Sequence, residues 1–230
     1  MRYLRVRAIP VAVCLLAGLL LGIAGPLAGK WDDPVAVALH LVLSGGWSWA
    51  GYAFLVGYFS RSKTESALLS SCGLTIGVIA YYLYKHISPL VPVGMEYAAS
   101  GGGISSVIII WGAMAFLLGA PVGLLGYLAR TPGVRGLAFR LVVPFVAFYE
   151  TSMRLAVEAE RQGPMVGATW QLIRVVAVAA AFALVVHAAR SWWQARRARS
   201  WRPSVHVGES TVPISHVRSG AMTESRSEHA

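Results

Sequence analysis

Charge is what this sequence has least of. Asp, Glu, Lys and Arg together make up 13% of its 230 residues, about half the share found in water-soluble domains. So little polar surface excludes a globule that faces water on every side. Cysteine is nearly absent. Cys14 and Cys72 make neither a disulfide framework nor a four-ligand zinc site, and both read as small hydrophobes that stay free thiols. There is no phosphate-binding loop, so a nucleotide-driven transporter would need a separate ATPase subunit. His86, His206, His216 and His229 show no metal-ligand spacing. No metal and no cofactor are expected.

Apolar residues are what is there. They make up 56% of the chain, the mean hydropathy is +0.60, and they come in long blocks. A bilayer core of roughly 30 Å needs about 20 apolar residues per helix. Six blocks qualify: Ile9 to Ala28, Val35 to Phe59, Ser66 to Ile87, Ile104 to Leu128, Gly136 to Val157 and Val166 to Ala189. Gly, Pro or charged residues separate them. The expected fold class is all-α, a polytopic transmembrane bundle of about six helices over residues 1–192, followed by a cytoplasmic tail over 193–230.

The net charge of +10 and pI near 10.1 do not indicate nucleic acid, because the cations sit between apolar blocks and at the ends rather than on one footprint. Their distribution reads as a topology signal. With the amino terminus inside, Arg2, Arg5, Arg7, Arg61, Lys63, Arg130, Arg135, Arg140 and Arg190 fall on the cytoplasmic side. Only Lys30, Lys85 and Arg161 fall outside. Both termini are therefore expected in the cytoplasm, with the chain in the cell membrane. The basic start also suits a cleaved signal peptide. Its apolar stretch is long for one, and we expect an uncleaved helix.

The tail opens with Trp192, Trp193, Arg196, Arg197, Arg199, Trp201 and Arg202. Tryptophan favours the head-group zone and arginine favours anionic lipid, so this segment reads as a membrane-surface anchor or as a plain stop-transfer flank. From Pro203 onward the composition is that of a disordered chain. Three Gly-x-x-x-Gly spacings, at Gly18/Gly22, Gly25/Gly29 and Gly119/Gly123, let helix backbones approach closely in lipid. They suit either a compact bundle or a face for a protein partner or a second copy. Pro121 and Pro144 are expected kink points.

Two clusters carry candidate chemistry. Glu150, Arg154 and Glu158 follow one another at a spacing of four, which puts them on one helix face. Arg174 enters the next helix from the same side, at a depth close to that of Glu150. Ionisable groups in hydrocarbon cost about 2.5–3.5 kcal/mol each unless they face inward and pair. We expect a Glu150–Arg154–Arg174 network, which either lines a polar cavity open to the outside or serves as an ion pair locking two helices. The second cluster is aromatic: Trp47 and Trp49 within one span, facing Tyr81 and Tyr82 in the next. Tryptophan in mid-span is unusual, and Gly45 and Gly46 are placed to break the helix beside a cavity. Such a pocket suits a flat or cationic solute. Aromatic packing against glycine notches is the plainer reading.

The run Gly45-Gly46-Trp47-Ser48-Trp49-Ala50-Gly51-Tyr52-Ala53-Phe54-Leu55-Val56-Gly57, the Arg61 loop and the Tyr81-Tyr82 pair resemble an uncharacterised family of small multi-pass membrane proteins from actinobacteria. The resemblance covers about the first two thirds of the chain. It implies a membrane location and brings no activity or catalytic residue. Rhomboid intramembrane proteases are similar in a different respect, a Gly-x-Ser at the head of helix four, here Gly103-Ile104-Ser105. Their chemistry needs a histidine on helix six within reach of that serine. Here the sixth block holds only His187, near its far end, and His40 lies in the second block. An intramembrane serine hydrolase is thus the least favoured of three readings. The others are a small-solute transporter, or the membrane component of one, and a non-transporting scaffold or interaction subunit.

Overall fold

The computed structural model describes residues 2–31, 33–88, 104–157 and 164–200, and these are helical with no strand among them. The helices are α1 (Arg2–Ala28), α2 (Pro34–Ser44), α3 (Gly46–Phe59), α4 (Lys63–Ile87), α5 (Ile104–Leu128), α6 (Val134–Arg140), α7 (Val142–Val157) and α8 (Pro164–Ser200). Local chemistry sets several starts. Asp33 accepts from the Val35 and Ala36 amides at 3.0 and 3.3 Å, with Pro34 at the first helical position of α2, where its missing N–H costs nothing. At the head of α4, Ser62 accepts from the Glu65 amide at 3.1 Å, and the Glu65 carboxylate reaches back to the Arg61 amide, a close relative of the capping box.

Among the described residues, four helices are long and apolar enough to cross a membrane: Ile9–Ala28, Lys63–Ile87, Ser105–Leu128 and Pro164–Gln194. They correspond to the first, third, fourth and sixth expected blocks. The second and fifth are each split. Gly45 takes an extended conformation, φ −66° and ψ 140°, and divides α2 from α3. At about 1.5 Å per residue, the 14 residues of α3 fall short of a bilayer core. Leu141 divides α6 from α7. Pro144 explains that break, because its ring removes the amide that would bond the Arg140 carbonyl and crowds it as well. α8 runs without interruption through residues 192 and 193 to Ser200, so the expected boundary between bundle and tail is bridged by one helix. Glu158, Trp201, Arg202 and the rest of the tail lie outside the described residues.

α4 lies at the centre, packed on α1, α3 and α5, while α7 packs on α3 and α8, and α2 on α1 and α8. Close approach of backbones replaces large side chains at these contacts. Gly18 and Gly22 of α1 meet Gly73 and Gly77 of α4, Gly25 and Gly29 meet Ser44 and His40 of α2, and Gly119 and Gly123 of α5 meet Ser71 and Ser70 of α4. All three Gly-x-x-x-Gly faces are therefore used inside this chain. Serine hydroxyls stitch the same seams: Ser70 donates to the Ala53 carbonyl at 2.9 Å and Ser71 to the Phe116 carbonyl at 2.7 Å. Arg140 Nε donates to the Ala129 carbonyl at 2.8 Å and Arg130 to the Ser60 carbonyl at 2.6 Å. Both put positive charge at a helix C-terminus, where the dipole favours it.

The outward surface is apolar. Leu16, Leu20, Ile109, Ile110, Leu117, Val175, Val176 and Phe182 are all exposed, while the fully buried set includes Ser66, Ser70, Ser71 and Thr151. Polar seams inside and hydrocarbon outside invert the pattern of a water-soluble protein. The arrangement is consistent with a membrane protein.

Candidate functional site

The break at Gly45 leaves the first amides of α3 without helical partners, and Gly45 itself offers no side-chain cap. Glu150 of α7 supplies the cap from a distant part of the chain. Its Oε1 accepts from the Gly46 amide at 2.9 Å and its Oε2 from the Trp47 amide at 2.8 Å. A carboxylate held by two amides at a helix N-terminus gains from charge-assisted bonds and from the helix dipole together. Ser48 completes the junction: its amide bonds the Gly45 carbonyl at 3.1 Å and its hydroxyl bonds the Val42 carbonyl. Irregular backbone inside an apolar bundle is stable only when its polar groups find such partners.

Glycine at position 46 makes the approach possible. A Cβ there would stand 3.0 Å from Glu150 Oε2. Gly46→Ala is expected to shift the carboxylate by a few tenths of an ångström, loosening its bonds to both amides, and to destabilise the protein by about 1 kcal/mol. Reversible unfolding in mixed micelles checks this, and an unchanged midpoint would contradict the capping geometry.

Arg154 stands one turn beyond Glu150 and donates from Nε to Oε1 at 3.0 Å. Its guanidinium also lies over the Trp170 ring, 5.0 Å from the centroid, a cation–π contact. The Glu150 side chain keeps 19% of its surface exposed and that of Arg154 35%. Glu150 and Arg154 are thus brought together. Arg174 does not join them: among the described residues it makes no hydrogen bond or ion pair. The physical reason lies in the α8 interface. Val166, Trp170 and Ile173 pack there with Val37, Leu41, Val42, Trp47 and Leu155, so the buried face of α8 is apolar, and on it Arg154 meets Trp170.

Beside the Glu150–Arg154 pair is a half-open cavity of about 660 Å³ among α3, α4, α5 and α7, with the end of α2 at its edge. Trp49, Tyr81 and Tyr82 line it, together with Trp111, Met114 and Ser44. The polar and aromatic clusters, read separately in the sequence, border one space. The Tyr81 ring makes edge-to-face contacts with Trp49, centroids 6.3 Å apart, and with Tyr82, 5.2 Å apart. Trp47 belongs elsewhere. It lines a different groove of about 1040 Å³ with Tyr52, Phe54, Arg140 and His187, because residues two apart on a helix point to opposite sides. Its indole N–H and that of Trp170 are buried and find no hydrogen-bond partner among the described residues. Trp111 and Trp170 were not singled out from the sequence. The signal that drew attention to Trp47 and Trp49, tryptophan within an apolar span, applies to both.

The remaining candidates are dispersed. Ser105 lies in the first turn of α5, His187 on the groove with Arg140, and His40 bonds the Gly25 carbonyl at 2.7 Å. No serine–histidine pair involving Ser105 forms among the described residues, and no group of three metal-ligating side chains occurs among them. On the last turns of α8, Arg196 lies over Trp192 at 3.7 Å and Arg197 over Trp193 at 4.7 Å. Arg199 is in the same helix.

These features define a class: an all-helical protein with four membrane-length apolar helices and an aromatic-lined cavity at a helix break sealed by a carboxylate–guanidinium pair. No known family, curated protein or solved structure matches the chain.

Proposed function

We propose that this chain is a six-span protein of the cell membrane, both termini cytoplasmic, that binds a small solute in the cavity beside Glu150 and serves as a transporter or as the membrane component of one. The two split elements, α2–α3 and α6–α7, count as the second and fifth spans. The observation that carries the reading is the half-helix N-terminus of α3, capped by Glu150 at the edge of a 660 Å³ space. Discontinuous helices that meet at a cavity are a recurring construction in solute carriers, and the volume lies within the range of small-molecule sites. The scaffold reading loses support from the packing, since the Gly-x-x-x-Gly faces on which it relied are turned inward. The Trp192–Arg197 turn is proposed to rest on anionic head groups at the cytoplasmic face.

The test is labelling from outside. With Cys14 and Cys72 replaced by serine, Tyr82→Cys is expected to react with a membrane-impermeant maleimide added to intact cells. Leu172→Cys, on the exposed apolar face of α8, is expected to stay unlabelled. A Tyr82→Cys thiol that reacts only after the cells are permeabilised would sink both the proposed orientation and the open cavity.

A further inference from the structure

The charged groups at this cavity are already engaged with one another. Glu150 Oε1 holds the Gly46 amide and Arg154 Nε, and Oε2 holds the Trp47 amide. The Arg154 guanidinium is stacked on Trp170 as well. A cationic solute meets a carboxylate whose charge Arg154 already balances, and an anionic one meets a guanidinium whose charge Glu150 already balances. A charge taken out of water without a partner is strongly disfavoured. Lys85, over the Tyr81 ring at 5.7 Å, further disfavours a cation at that wall.

What the cavity does offer is ring surface and neutral hydrogen-bonding groups. Trp49, Tyr81, Tyr82 and Trp111 contribute aromatic faces and edges. The Tyr81–Trp49 and Tyr81–Tyr82 rings stand nearly perpendicular, at 81° and 82°, so a flat ring resting on this wall can meet both ring faces and ring edges. The phenol hydroxyls of Tyr81 and Tyr82 make no hydrogen bond among the described residues, and each can donate or accept. Resting on the solute-site reading above, we infer that the bound solute is a planar, uncharged aromatic or heteroaromatic molecule, held by ring contacts with Trp49 and Tyr81 and by hydrogen bonds to the two phenols. This narrows the flat-or-cationic expectation to its flat, neutral half.

Three probes with one ring system and different charge test it: indole, tryptamine and indole-3-acetate. Each is titrated by calorimetry into the full-length protein in nanodiscs, with empty nanodiscs as the blank for lipid partitioning. Indole is expected to bind saturably and at least about 10-fold more tightly than either charged analogue. Trp49→Ala is expected to weaken indole at least about 10-fold, and Trp49→Phe to restore part of the loss. The thermal unfolding of each variant shows whether it is folded. Equal or tighter binding of tryptamine or indole-3-acetate overturns the neutral-solute inference while leaving a solute site in place. Saturable indole binding that Trp49→Ala leaves unchanged overturns the assignment to this cavity. No saturable binding of any probe to folded protein overturns the inference and the solute-site reading together.

Discussion

Replacing Glu150 with alanine is expected to destabilise the protein by about 2–3 kcal/mol, between the values for an exposed and for a buried charge pair. Three hydrogen bonds disappear at once, from Gly46, Trp47 and Arg154. Two of the donors are backbone amides that have no helical partner at the α3 terminus, and the third is the Arg154 guanidinium, which loses this carboxylate. Glu150→Gln keeps a carbonyl that serves one amide and loses the charge, so its cost should fall between wild type and alanine. The pair also predicts non-additivity. Glu150→Ala with Arg154→Ala should cost less than the sum of the two single changes, because each single change already removes the bond between them. Equilibrium unfolding in mixed micelles measures the wild type and all four variants. Simple additivity would mean that the pair does not couple.

The second large effect is steric. Gly57 of α3 faces Gly123 of α5 so closely that a Cβ at position 57 would overlap the Gly123 backbone. Gly57→Leu must push two helices apart, and backbone cannot swing aside as a side chain does. We expect about 3 kcal/mol of destabilisation, at the upper end for overpacking. Gly112→Ala is the control on the same helix as Gly123. Its Cβ would find only Thr75 Cγ2 at 4.0 Å, and its effect should stay within about 0.5 kcal/mol. Equal effects from the two substitutions would show that glycine matters here through backbone flexibility rather than close packing.

Much of the helical frame was legible because apolar length is written directly into the sequence. Ile104 to Leu128 is bounded in the structure as read, and the apolar part of α1 is Ile9–Ala28. The Gly45-Gly46 pair announced the first break. Pro144, an expected kink point, announced the second, although the break itself falls three residues earlier, at Leu141.

The candidate site was half legible. Charge spacing brought Glu150 and Arg154 together, as one helix face must. Arg174 was added because side chains of opposite charge are visible in a sequence. The partners that Glu150 takes besides Arg154 are backbone amides. Every residue but proline carries one, so nothing in the residue types at positions 46 and 47 advertised them. Only the three-dimensional meeting of α7 with the head of α3 makes those two amides special. Grouping Trp47 with Trp49 failed for a simpler reason. A two-residue step turns about 200° around a helix, so the two rings could not share a wall.

Amide hydrogen exchange by NMR tests the central claim most directly, with labelled protein in nanodiscs and attention to Gly46 and Trp47. If the Glu150 carboxylate caps α3, both amides are protected in the wild type. Glu150→Ala then accelerates their exchange on the order of 30-fold, the equivalent of about 2 kcal/mol, while the Ala53 amide in the middle of α3 keeps its protection. Amides at 46 and 47 that exchange at the same rate in both proteins would contradict the cap, and with it the site built around it.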